Sequence, residues 1–166
     1  MTLFLDEIAA LTNMQVRFVV VGGVAAGLHG LAHATFDLDI CYDPVRDNRE
    51  RLAAVLAGWK AYLRGVEPGL PFTMDARQLV VSPVMTLTTT MGDIDVMDRV
   101  AGVGDFVDTR AHSVETHVGA VTFRILDLPS LIAAKRASAR PKDLAQLPEL
   151  EALLELRRRR TGGPKR

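Results

Sequence analysis

Cysteine is nearly missing from this chain: Cys41 is the only one in 166 residues. No intramolecular disulfide and no cysteine-rich zinc site can form, which suits a reducing compartment and leads us to expect a cytoplasmic protein. The four histidines, His29, His33, His112 and His117, form no H-E-x-x-H motif, so no histidine metal centre is expected. Aromatic residues are only 5% of the chain and form no run that would stack nucleobases. Net charge is also missing, with 20 cations balanced by 20 acids, so overall charge does not argue for nucleic acid or membrane. No apolar run approaches the roughly 18 residues that span a bilayer. The N-terminus has no basic region and is broken by Asp6 and Glu7, unlike a signal peptide. Ser82, Ser113 and Ser130 lack the surroundings of a nucleophile elbow.

What is present reads as one ordinary domain, residues 1–156, followed by a basic segment, "RRRRTGGPKR", at 157–166. That segment is a frayed helix end or a phosphate-seeking tail. Periodicity predicts a first helix over 2–12, with Thr2 as its N-cap, and a buried strand over 16–23. A short helix follows in "VAAGLHGL", then a strand over 35–43, in which Phe36, Leu38 and Ile40 should face the core. A helix is predicted over 47–59 and a Gly/Pro-rich loop over 60–76. "QLVVSPVMTLTTT" and "DIDVMD" read as two strands, and a glycine loop, a short helix and two more strands come after them. The chain then closes with a helix opened by Asp127 and a last helix bent at Pro148. Intermixed strands and helices of this kind indicate an α/β (α+β) domain on a mixed central β-sheet flanked by helices.

Two features call for chemistry rather than packing. The strand 16–23 ends in Gly22-Gly23, where a backbone can approach a phosphate and a helix N-terminus can face an anion. The pattern is neither a P-loop nor the G-x-G-x-x-G fingerprint. After thirteen intervening residues stands Asp37-Leu38-Asp39-Ile40. On a strand, Asp37 and Asp39 share one face, with Cα atoms roughly 6.6 Å apart. Like charges so placed must be hydrated, paired or bound to a metal. "GDIDVMD" repeats the arrangement with Asp93 and Asp95, and Asp95, apolar-flanked on both sides, is the better third ligand. Three carboxylates from two strands can hold two divalent ions about 4 Å apart, as in phosphoryl and nucleotidyl transfer. A solvated strand face is the simpler reading of each D-x-D taken alone.

In this order the elements resemble a minimal nucleotidyltransferase of the polymerase-beta-like superfamily. Within it the chain is most similar to AbiEii-type toxin nucleotidyltransferases. The matching segments are "HGLAHATFDLD" (29–39), "GDIDV" (92–96) and "LIAAKRASARPKD" (131–143), with His33 where the family often has arginine. The resemblance implies that Gly22 and Gly23 cradle an NTP and that Asp37, Asp39 and Asp95 bind Mg²⁺ or Mn²⁺. It also implies that Lys135 contacts the triphosphate and that Asp143 is a further acidic site residue, with Thr35 ordering the D-x-D segment. Lys135 could instead be a helix-surface lysine, Asp143 a first-turn acid on its helix dipole, and Thr35 a strand-edge residue. The implied reaction moves an NMP to an acceptor hydroxyl on RNA such as a tRNA end, on a protein partner, or on a small molecule. A toxin–antitoxin or phage-defence setting with a cognate toxin or antitoxin follows from the same resemblance. The alternative class is a non-catalytic nucleotidyltransferase-like module acting as antitoxin or regulatory partner. A nucleotide-binding oxidoreductase, stabilised by NAD, is the third reading.

Overall fold

The computed structural model describes residues 4–161. The expected Thr2 cap therefore lies outside the described residues. In chain order the elements are α1 (Leu5–Asn13), β1 (Phe18–Val21), α2 (Gly22–His29), β2 (Asp37–Tyr42), α3 (Arg46–Gly58), β3 (Tyr62–Leu63), α4 (Ala76–Val81) and β4 (Met85–Thr89). They continue with β5 (Gly92–Met97), β6 (Arg99–Val100), β7 (Gly104–Asp105), α5 (Phe106–Ala111), β8 (Ser113–Val118), β9 (Val121–Leu126), α6 (Leu128–Ser138) and α7 (Pro141–Thr161). No helix among the described residues is long and apolar enough to cross a membrane.

Seven strands form one mixed sheet in the order β3-β4-β5-β2-β1-β9-β8, and β6 and β7 make a separate hairpin. The strands at the centre are the most apolar. Every residue of β1 is buried, as are Leu38, Ile40 and Cys41 of β2 and Ile94 and Val96 of β5. Burial on this scale, at roughly 25 cal/mol per Å² of apolar surface, is what holds the sheet and its helices together. Cys41 is fully buried and acts as a small apolar filler.

Three local expectations are corrected. Residues 78–81, read as strand, are helical, because the Asp75 carboxylate accepts from the Arg77 and Gln78 amides and so nucleates α4. Phe36 is 85% exposed rather than in the core. Pairing of β2 starts at Asp37, opposite Asp93, so Phe36 precedes the ladder that would have fixed its direction. Within the expected loop 60–76, Tyr62 and Leu63 pair with Thr88 and Leu87 as an edge strand. The segment is too short for any periodicity to show it.

Of the basic segment 157–166, residues 162–166 lie outside the described residues. Helix α7 continues through residues 157–161, and the Arg157 guanidinium donates to His29 O at 3.0 Å and to His29 Nδ1 at 3.1 Å. His29 is buried and its Nε2 lies 2.8 Å from Leu126 O, so Nε2 carries the proton and Nδ1 accepts. Burial first, and then the facing Arg157 charge, lower its pKa, while the Leu126 carbonyl and Asp127 oppose this. The unfolded chain therefore binds the extra proton more readily than the folded one. Stability should be full above pH about 6.5 and fall below it. Melting curves across pH 5–8 should show this slope flattened in His29→Gln. An unchanged slope would assign it to other groups.

Candidate active site

The site is built where three elements end. Strand β1 delivers Val21 to the turn at Gly22, which has φ +62° and starts α2. Strand β2 returns antiparallel with Asp39 opposite Val21. Strand β5 runs parallel to β2, with Asp93 opposite Asp37 and Asp95 opposite Asp39. In-register parallel partners point to the same side, so the four acids make a two-by-two patch on one sheet face. Within it one carboxylate oxygen each of Asp37, Asp39 and Asp95 lies within 4.8 Å of the others. Asp93 stands aside, with its Oδ1 accepting from Thr88 Oγ1 at 2.7 Å.

The glycines fit this crowding sterically. A Cβ on Gly22 would lie 2.0 Å from Asp39 Oδ2, and one on Gly23 would lie 2.5 Å from Thr35 Oγ1. Thr35 Oγ1 in turn donates to the Asp37 carbonyl at 3.1 Å and reaches Asp37 Oδ1 at 3.4 Å. Asp39 is confined by both neighbours and charge. Burial first, then the charges of Asp37 and Asp95, push its pKa up to about 7, against the opposing pull of the Gly23 amide and Arg140. Burial also raises the pKa of Asp95, while Arg64 works the other way.

Beside the carboxylates opens a cavity of about 370 Å³, lined by Gly22, Gly23, Asp37 and Asp39 on one side and by Lys135, Ser138, Arg140, Lys142 and Asp143 on the other. The second wall comes from the junction of α6 and α7. Asp143 is buried and receives hydrogen bonds from Lys135 Nζ at 3.1 Å, Ser138 Oγ at 2.7 Å and Arg140 Nε at 2.6 Å. Burial alone would raise its pKa, but the bonds from Arg140, Ser138 and Lys135 outweigh it and hold it down to about 2. Lys135 is thus neither surface-exposed nor free, but a buried cation tied to Asp143. Asp143→Asn should cost about 3 kcal/mol in chemical denaturation, because it strands the Lys135 charge. A loss below about 1 kcal/mol would show that Lys135 has another partner.

All eight residues singled out in the sequence meet in one region. Gly22, Gly23, Thr35, Asp37, Asp39, Lys135 and Asp143 line the cavity, and Asp95 adjoins it through Asp37 and Asp39, within 4.8 Å of both. Three cations were missed. Arg140 and Lys142 sit inside "ARPKD", whose spacing to Asp143 was a usable signal. Arg64 follows β3 in the Gly/Pro-rich stretch and gave none. Its Nη2 donates to Asp95 at 2.7 Å, its Nη1 reaches Asp37 at 3.4 Å, and its Nε lies 3.2 Å from Asp93. His33, where the family often has arginine, lies 3.3 Å from Glu149 of α7.

No family model matches the sequence, and no curated protein matches it. By structure the chain is similar to a Thermotoga maritima protein, provisionally described as a nucleotidyltransferase, solved by crystallography. The TM-score is 0.51 at 16% identity, over 92% of this chain and 89% of that one. The fold is a nucleotidyltransferase fold. The same mixed sheet carries the glycine turn and the acidic strands, and the narrower AbiEii-type likeness rests on the sequence segments alone.

Proposed function

We propose that the protein is a divalent-metal-dependent nucleotidyltransferase that moves an NMP from an NTP to an acceptor hydroxyl. The observation that carries this reading is the convergence of Asp37, Asp39 and Asp95 to within 4.8 Å beside a cation-lined cavity on a nucleotidyltransferase fold. The donor set suits Mg²⁺ or Mn²⁺, since it offers only hard carboxylate oxygens, and the charges of Asp37 and Asp95 bear on Asp39 with Arg140 as the opposing side-chain charge. Bound there, the ion would supply Lewis-acid stabilisation of phosphate charge.

The chain's own residues do the rest. Gly22 and Gly23 let the backbone and the start of α2 approach the phosphates. Arg140 and Lys142 place positive charge on the opposite wall, where negative charge builds on departing pyrophosphate. Arg140 is kept protonated first by its bond to Asp143, and it also faces Asp39 and Asp37. Lys135 holds Asp143, fixing the α6–α7 wall, and presents its charge to the cavity edge. Asp95, within 4.8 Å of Asp37 and Asp39, would accept the proton of an approaching hydroxyl. Such chemistry relies on positioning and electrostatics rather than on a covalent intermediate.

By the sequence resemblance the acceptor is an RNA end, a protein hydroxyl in a toxin–antitoxin pair, or a small molecule. Offering each α-labelled NTP with Mg²⁺ to total bacterial RNA, total bacterial protein and a bacterial small-molecule extract tests the reading. Label should enter one fraction, with one preferred base, and only when Asp37 and Asp39 are intact. NTP binding without transfer to RNA, protein or small molecule would favour the non-catalytic module.

A further inference from the structure

Arg64 has no part in the chemistry above, yet it is the cation in closest contact with the acidic patch. Its backbone amide extends the β3–β4 ladder by bonding Thr86 O at 3.0 Å. The side chain then crosses β4, where Nη2 also donates to Leu87 O at 3.1 Å, and arrives over Asp37, Asp93 and Asp95. The fit is incomplete. Nε is buried and lies within ion-pair distance of Asp93, but its N–H has no aligned acceptor. Nη1 and Nη2 are hydrogen-bonded, so it is the contact of Nε with Asp93 that rests on charge rather than on hydrogen-bond geometry. Two of its three anionic partners are the carboxylates assigned above to the metal, and the third, Asp93, lies outside that triad.

We propose that Arg64 is a positioning residue that sets the divalent-ion affinity of the site, by bridging Asp37 and Asp95 in the metal-free protein and yielding them toward Asp93 when the ion binds. The inference rests on the metal-site reading of the three aspartates. A fixed unit charge within 3–4 Å of the ligand oxygens both repels an incoming dication and occupies its ligands, so Arg64 competes with the ion. The same charge relieves repulsion among the acids when no ion is there, so it keeps the metal-free patch assembled.

Mn²⁺ titration of the full chain, followed by loss of the free-ion EPR signal, tests this. Arg64→Gln should bind Mn²⁺ about tenfold more tightly than wild type, a step of the size a removed neighbouring charge gives. Its metal-free melting temperature should be lower and its Mn²⁺-induced rise larger. Arg64→Lys, which keeps the charge, should stay within about threefold of wild type. Asp93→Asn should weaken Mn²⁺ binding in the wild-type background and much less in Arg64→Gln. Equal or weaker Mn²⁺ binding by Arg64→Gln overturns the competition, and an Asp93→Asn effect of the same size in both backgrounds overturns the hand-over. If Arg64→Gln does not fold, unchanged or tighter binding by Asp93→Asn alone overturns the proposal. Absence of Mn²⁺ binding in both wild type and Arg64→Gln would instead defeat the metal site itself.

Discussion

Asp39→Asn should lower nucleotidyl transfer by roughly 10³-fold, the scale of losing a principal electrostatic stabiliser of the transition state, while the metal-free protein melts no lower than wild type. The two halves of this expectation come from the same observation. Asp39 is held in a confined site against Asp37 and Asp95, and burial with those charges pushes its pKa up to about 7. In the absence of a cation its ionised form is a liability to the fold, and asparagine keeps the shape without the charge. The proposed reaction, by contrast, needs that charge as a ligand. Asp37→Asn should lose transfer to a similar degree, and the readout is label transfer from α-labelled NTP alongside thermal melts. Loss of both activity and stability in Asp39→Asn would mean that the carboxylate is structural, and full activity would remove it from the mechanism.

Gly22→Ala should be the most damaging single methyl in the site. The Gly22 φ of +62° lies in the left-handed region, where an alanine costs roughly 1–2 kcal/mol. The new Cβ would also fall 2.0 Å from Asp39 Oδ2 and 2.9 Å from Asp39 Cβ. A carboxylate can rotate, but its Cβ is fixed to the paired strand β2, so the turn itself must shift. We expect a total loss of about 2–4 kcal/mol in chemical denaturation, with divalent-ion binding lost because Asp39 is displaced. Gly23→Ala is the control. Its Cβ would fall 2.5 Å from Thr35 Oγ1 and 2.8 Å from Thr35 Cβ, but its backbone carries no left-handed penalty, so its loss should be smaller by about 1–2 kcal/mol. A Gly23→Ala loss equal to that of Gly22→Ala would contradict the account of the turn.

The core of the fold could be read in advance because its signals are local and redundant. The β-branched run ending in Gly22-Gly23, the alternation around Asp37 and Asp39, and the Asp127 cap of α6 each specify an element without distant help. The misread places turn on single contacts that composition does not show. "QLVV" has strand composition, but the Asp75 carboxylate caps it as helix. Phe36 follows the alternation of β2, yet it lies one residue before the pairing with β5 begins. The acidic residues of the site showed themselves by being charged on an otherwise apolar strand. Arg64 did not, since a lone arginine in a Gly/Pro-rich segment is unremarkable until the sheet order places β3 beside β4 and β4 beside β5.

On this account the acidic triad and the neighbouring cavity form one metal–nucleotide site. Melting the full chain with each of ATP, GTP, CTP and UTP, with and without Mg²⁺, tests it most directly. At about 100-fold excess over Kd a ligand stabilises by about 2.7 kcal/mol, which for a chain of this size raises Tm by roughly 5–10 °C. We predict a rise of that order for at least one NTP, dependent on Mg²⁺ and absent in Asp37→Asn. No shift with any NTP, a shift indifferent to Mg²⁺ and retained in Asp37→Asn, or stabilisation by NAD instead would contradict the account.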